Sequence, residues 1–383
     1  MSEIKVNSIK GVGASAAAIT VNNTDGTCTA NVTNNLSNRR INVNGAMQVA
    51  QRGTVTGITS STYAGPDRFR FGVANHGTFT VSQDSSAPTG SGFANSLKLA
   101  CTTADTSVAA STIVYFQHKL EGQDCQRIKK GTSSAEPLAV QFWVKSNKTG
   151  TYAFQCSDND NSRAFTTTYT ISSADTWEKK EIIIPADTTG VLDDNNLVSL
   201  TFNFWLAVGT NYTSGSASTT WYSYVDANAA KGHAVNIADS TSNTWYMTGL
   251  QMETGSVHTD FEHRSFAQEL ALCQRYCFVW KSNQSYSVWG TGYMTHSTGV
   301  DFSFTLPQTM RASPSFSSSG SFRLVGYEND TQYAQALSSF SMTRSHTLTP
   351  YLRGVISGGV GGAVGELSDN GSNNATATFS AEL

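Results

Sequence analysis

The chain is short of charge. Asp, Glu, Lys and Arg make up only 14% of its 383 residues, roughly half to two-thirds of the share in an ordinary soluble domain. The formal net charge is −3 and the basic clusters are small: Arg39 with Arg40, Arg127 with Lys129 and Lys130, Lys179 with Lys180. Such a surface gives no electrostatic ground for binding nucleic acid. Long apolar runs are also missing, which excludes a helical membrane span and makes membrane insertion unexpected. The opening MSEIKVNSIKG lacks the apolar stretch of a secretion signal. The six cysteines are scattered without a CxxC pair, so buried, reduced thiols are expected rather than a disulfide framework or a zinc site. Cys273 and Cys277 stand one helical turn apart, a spacing that suits side-by-side packing better than a disulfide.

Catalytic signatures are missing too. There is no G-x-S-x-G, no phosphate-binding G-x-x-x-x-G-K-[ST], no G-x-G-x-x-G and no H-E-x-x-H. His258 and His263 flank Glu262, but a spacing of five does not bring both to one face for a metal. The carboxylate pairs Asp158/Asp160 and Asp193/Asp194 would serve glycoside hydrolysis only at a suitable separation. The run Asp158, Asn159, Asp160, Asn161, Ser162 puts alternating oxygens on a turn, as a calcium loop does, yet lacks the glycine and distal glutamate of an EF-hand. A polar hairpin loop is expected there. No catalytic residue, metal or cofactor is expected, and the chain is read as a non-enzyme.

What fills the space left by charge is Ser, Thr, Asn and Gly, with 10% aromatic residues. Neutral polar side chains coat a β surface, and so many rings argue against disorder. Period-two alternation recurs from about 68 to 253, as in Leu97, Leu99 and Cys101, in Val140, Phe142 and Val144, and in Phe202, Phe204 and Leu206. About ten strands separated by polar turns imply two packed antiparallel sheets. The fold class expected is all-β, a jelly-roll-like β-sandwich body over 51–264. A smaller C-terminal β-sandwich follows over 278–383. Residues 1–50 hold short alternating pieces, with a turn signal at Asp25 and Gly26, too poor in apolar residues to bury a core alone. A thin oligomeric stem is expected there. Over 265–277 a junction helix is expected: Ser265 caps it, Gln268 completes a capping box, and Phe266, Leu270, Cys273 and Cys277 form an apolar stripe.

Three blocks carry a resemblance. The first runs from Gly249 through Gln251, Glu253, Gly255, Ser256, Thr259, Phe261, Glu262 and Arg264 to the E-L-x-x-C-Q-R-Y of the helix. The second combines Asn44, Gly45, Met47, Gln51, Arg52 and Gly53 with Asp67, Arg68 and Phe69. The third is Pro307, Met310, Arg311 and Pro314. In this order they resemble bacteriophage tail-fibre and related virion appendage proteins. The resemblance implies a body similar to the jelly rolls of carbohydrate-binding modules and a homotrimer. It also implies docking to phage tail or adaptor proteins through the N-terminus, and attachment to a host-surface glycan or protein. A chain that looks extracellular without an export signal fits a virion part released by lysis. The alternatives are a purely structural virion component, such as a head fibre or tail connector, and a polysaccharide-degrading tailspike. Asp67 and Arg68 are expected to lock a loop by charge-assisted bonding.

Sugar binding calls for exposed flat rings beside amides and carboxylates. Once Phe142 and Phe204 claim the core, Trp143 and Trp205 are left on opposite faces of their strands. Trp221, Tyr222 and Tyr224 form another cluster, and Trp289 sits between Tyr286 and Tyr293. The candidate stacking residues are therefore Trp143, Trp205, Trp221, Tyr222, Tyr224 and Trp289, with burial as the competing reading of each ring.

Overall fold

A computed structural model of the chain describes residues 6–12, 17–21, 24, 28–30, 38–328, 331–358, 364–371 and 373–383. The Asp25–Gly26 turn signal lies outside these residues. The chain is all-β, as the alternation implied. A six-stranded and a seven-stranded antiparallel sheet form the body. In order, the six-stranded sheet runs Glu178–Ile184, Leu138–Ser146, Thr244–Thr254, Ser96–Thr103, Thr78–Asp84, Val55–Ile58. The other runs Tyr222–Ser223, Arg163–Ile171, Gly150–Asp158, Val198–Val208, Ile113–Glu121, Phe69–Ala74, Thr62–Tyr63.

Successive side chains of a strand face opposite ways. The inward set therefore fills one core, with Phe71, Phe79, Phe116, Phe142, Phe154, Phe202, Phe204 and Trp245 all fully buried. Edge-to-face contacts bridge the sheets, as between Phe142 and Phe204 at 5.2 Å, a preferred aromatic geometry. Ile41 and Met47 belong to this core as well. The sandwich therefore draws core side chains from ahead of residue 51 as well.

The described part of the stem is a three-stranded antiparallel sheet, Ser8–Ile9, Ile19–Val21 and Cys28–Ala30. It leaves Val6, Ile9 and Val12 exposed. The helix is shorter than expected, Phe266–Gln274, with its capping box in place: the Ser265 hydroxyl accepts from the Gln268 amide and Gln268 Oε1 accepts from the Ser265 amide. Only part of the apolar stripe is used. Leu270 and Cys273 pack on Val43 and Val49, while Phe266 is exposed and Cys277 starts the next strand. Cys101, Cys125, Cys156, Cys273 and Cys277 are free and buried, and burial drives the Cys273 thiol well above its ordinary value.

The C-terminal unit pairs a three-stranded sheet, Cys277–Lys281, Thr376–Ser380 and Ser315–Ser319, with a seven-stranded one. Its own core holds Trp289, Met294, Phe302, Phe322, Leu352 and Phe379.

Between body and C-terminal unit lies a dense polar junction, and the three sequence blocks converge on it. Glu269 of the helix pairs with Arg40 and accepts from the Asn44 amide at 2.5 Å. Asn44 bonds the carbonyls of Val49 and Asp67 and the amide of Val49. Glu262 gathers the amides of Asn38, Arg39 and Arg40. Glu253 accepts from the Thr259 amide and hydroxyl and from Arg39. Gly45 is there for closeness: a Cβ would stand 1.9 Å from the Leu250 carbonyl oxygen. Asp67 and Arg68 do not bond to each other. Asp67 accepts from the Gln51 amide and side chain, and burial pushes it up to about 6. Arg68 pairs with Glu382 at 2.5 Å, its guanidinium 3.4 Å from the Tyr276 ring centre. Arg311 donates to the carbonyls of Ala381, Glu382 and Asn196. These blocks are architecture, since buried charges persist only when paired and hydrogen-bonded.

Candidate binding cleft

The outer face of the body's seven-stranded sheet carries a concavity that combines rings with amides: an open cleft of about 630 Å³. Its floor follows from strand parity. With Phe116, His118 and Leu120 inward, Tyr115, Gln117 and Lys119 of the same strand face out. Gln117 is level with Asn203 and Asn203 with Gln155 on the adjacent strands. Gln117 Nε2 donates to Asn203 Oδ1 at 2.9 Å, and Asn203 Nδ2 donates to Gln155 Oε1 at 2.9 Å. Arg70 continues this row on one side and Thr166 on the other. An amide row must end with a spare acceptor and a spare donor. Here these are Gln117 Oε1, buried and without a hydrogen bond among the described residues, and Gln155 Nε2, which has the Tyr222 hydroxyl beside it. Buried polar atoms rarely stay unsatisfied, so the row is primed for hydroxyls.

Beside it stand the rings. Trp205 lies against Tyr115 (5.1 Å) and Tyr212 (5.8 Å), over Ala153, Ala229 and Ala230. It is only 4% exposed, so Trp205 supports the wall and does not offer a stacking face. Its Nε1 lacks a hydrogen bond. Tyr115, Tyr212 and Tyr224 are the rings with open surface, and Tyr224 donates to Asp226 Oδ1 at 2.9 Å. Tyr115 reaches flat across the sheet because Gly72 is opposite it; a Cβ there would come within 2.3 Å of the ring. Gly72→Ala should therefore tilt Tyr115 away from the sheet, with unfolding free energy changed by under ~2 kcal/mol. Near-UV circular dichroism alongside urea unfolding checks both halves.

The other expected stacking residues are elsewhere. Trp143 is half-buried on the six-stranded sheet, beside Phe93 and Gly249. Trp221 packs against the body core, donates to the Pro185 carbonyl at 2.8 Å and lies 5.0 Å beneath Lys130 Nζ. Tyr222 is held by Thr166 at 2.6 Å, its ring half-buried. Trp289 is 5% exposed and stacks on Trp280 at 4.5 Å inside the C-terminal core. Of the six, only Trp205 and Tyr224 line the cleft. Tyr115, Gln117, Gln155 and Tyr212 were missed. The outward I-x-Y-x-Q-x-K of residues 113–119 was their available signal.

The Asp158 loop is a polar hairpin. Asp158 Oδ1 accepts from the amides of Asp160 and Asn161, both at 3.0 Å, while Oδ2 meets Lys130 Nζ at 2.6 Å. Asp187 flanks the same ammonium at 3.0 Å. Among the described residues no three His, Cys, Asp or Glu side chains cluster to hold a metal. His263 packs on Phe261 (4.8 Å) and Phe93 (5.3 Å), away from His258, whose Nε2 faces the Ile182 carbonyl.

Behind the cleft, His233 Nδ1 accepts from the Ala153 amide at 3.1 Å, and Nε2 faces the Val235 carbonyl at 2.8 Å. Burial pushes its pKa down to about 4. Between that value and the unfolded value near 6.5 the unfolded chain binds more protons, so stability falls as pH drops through this window and the loss is complete below it. The expected cost is about 2–3 kcal/mol, and His233→Gln should flatten this part of the profile in urea unfolding from pH 7 to 4.

No family model matches the chain, and no curated protein matches it. Solved structures align with part of the chain at low similarity. The enzymatically active domain of a tailspike protein of bacteriophage CBA120 aligns over 56% of this chain at 11% identity and TM-score 0.28; the alignment spans 21% of that chain. A putative sugar binding protein from Bacteroides thetaiotaomicron aligns over 56% of this chain and 100% of its own, at 8% identity and TM-score 0.31. A family 11 carbohydrate-binding module of a Clostridium thermocellum cellulase covers 54% and 99%, at 12% identity and TM-score 0.27. Likenesses at this level concern part of the chain, and the functional reading rests on the cleft itself.

Proposed function

We propose that the chain is a non-enzymatic subunit of a bacteriophage tail fibre or related virion appendage, which attaches the particle to a host-surface saccharide through the cleft of its body. The carrying observation is the open cleft of about 630 Å³, floored by the Gln117, Asn203, Gln155 row and walled by Tyr115, Tyr212 and Tyr224. Amides match the paired donor and acceptor character of sugar hydroxyls, tyrosine rings match the apolar faces of pyranoses, and the volume lies in the range of ligand sites. Of the cleft's carboxylates, Asp158 is tied to Lys130 at 2.6 Å, a poor state for a nucleophile or general acid.

The appendage role draws on the three sequence blocks. The exposed Val6, Ile9 and Val12 of the N-terminal segment support self-association as a homotrimer, which also multiplies weak saccharide contacts through effective concentration. On this reading the N-terminus docks to tail or adaptor proteins.

A glycan panel probed with purified chain tests the proposal. Binding to a saccharide, loss of that binding in Tyr115→Ala, and no release of reducing ends are the expected results. A blank panel with no block of particle adsorption points to a purely structural component, and released reducing ends point to a tailspike.

A further inference from the structure

Resting on the saccharide reading above, we infer that the ligand is an acidic sugar chain whose anionic group seats between Arg70 and Lys119 at one end of the cleft. Among the described residues the Arg70 side chain has one hydrogen bond, to the Tyr115 hydroxyl at 3.3 Å, and no ion pair with an Asp or Glu side chain. Lys119 Nζ donates to an oxygen of Leu383 at 2.8 Å and feels the Glu382 carboxylate. Nearby cations add to the field: Arg68 and Arg311 face Lys119, with Glu382 as the counter-charge, itself shared by Arg52 and Arg68. Burial and these arginines bring the Lys119 ammonium down to about 8. Cations outnumber the counter-charge here, Arg70 being half-buried with no ion pair of its own among the described residues, and a ligand anion relieves that cost. Arg70 supplies the planar fork that fits a carboxylate or phosphate.

The far end has the opposite sign. Asp226, beside Tyr224, borders the cleft there. The Phe69–Ala74 strand is separated from Tyr222–Ser223 by four others, about 24 Å at the usual spacing. That length suits an oligosaccharide lying across the strands. The charge difference between the ends fixes its direction, since an anion at the Asp226 end is repelled.

Calorimetric titration of the full chain with trigalacturonate, its carboxyl-reduced trisaccharide and glucose 6-phosphate tests this. The acid should bind at least tenfold more tightly than the reduced form at low salt, with the gap narrowing as salt rises. Arg70→Gln and Lys119→Gln should each shrink the gap severalfold, and Arg70→Lys should restore part of it. Binding should also take up a proton near pH 8, an uptake that Lys119→Gln abolishes. A preference for the phosphate over the uronate supports the anion seat and names phosphate as its source. Equal binding of acid and reduced form overturns the inference and leaves the saccharide reading intact. Failure of all three probes together with a blank glycan panel overturns both.

Discussion

Glu269→Ala is expected to lower the unfolding free energy by about 3–5 kcal/mol, the usual cost of removing one partner from a buried ion pair. Glu269 is 1% exposed and Arg40 is 2% exposed, so water cannot replace the lost carboxylate. Arg40 already has Nε and Nη1 without partners, and the Asn44 amide would lose its acceptor too. Urea unfolding measures the loss. Glu269→Gln keeps an acceptor for Asn44 and should fall between the two. Replacing both partners by Arg40→Met and Glu269→Leu should recover much of the stability, because the stranded charge is gone. A single Glu269→Ala loss under ~1 kcal/mol would show that the junction is not the keystone described here.

Tyr115→Ala is expected to weaken saccharide binding about 10- to 100-fold, or roughly 1.4–2.8 kcal/mol. The ring does three things at once. It presents a face to the cleft, closes Trp205 against the sheet at 5.1 Å, and accepts a hydrogen bond from Arg70 at 3.3 Å. Truncation removes the stacking surface and leaves Trp205 free to shift. Tyr115→Phe keeps the ring and loses only the hydroxyl, so most of the affinity should survive. Equal losses in the two variants would shift the explanation from the ring to its hydroxyl. Near-UV circular dichroism of both variants separates a local loss from a collapsed fold.

Much of the sandwich was legible because alternation is a local signal: Phe202, Phe204 and Leu206 declare their own inward face. The junction was half legible. The blocks containing Asn44, Glu253, Glu269 and Arg311 stood out as a resemblance, but not their partners, since Arg40 lies 229 positions before Glu269. The bonding expected of neighbours Asp67 and Arg68 shows the same limit, because each has its partner elsewhere. The cleft was legible least. Tryptophan drew attention as the largest ring, yet its size is also what makes a sheet bury it, as with Trp205 and Trp289. Gln117, Asn203 and Gln155 have meaning only through strand register, which brings three separate strands level.

The junction around Glu382 has a mechanical consequence. The chain leaves the body through the Phe266–Gln274 helix and comes back along Thr376–Ser380, so that Glu382 reaches Arg52 and Arg68. Two crossings, and not a single tether, join the halves. Load applied at the C-terminal unit is shared between them, and twisting about either one is resisted by the other. The C-terminal half should move as a lever rigidly continuous with the body, so a tug there is transmitted to the cleft.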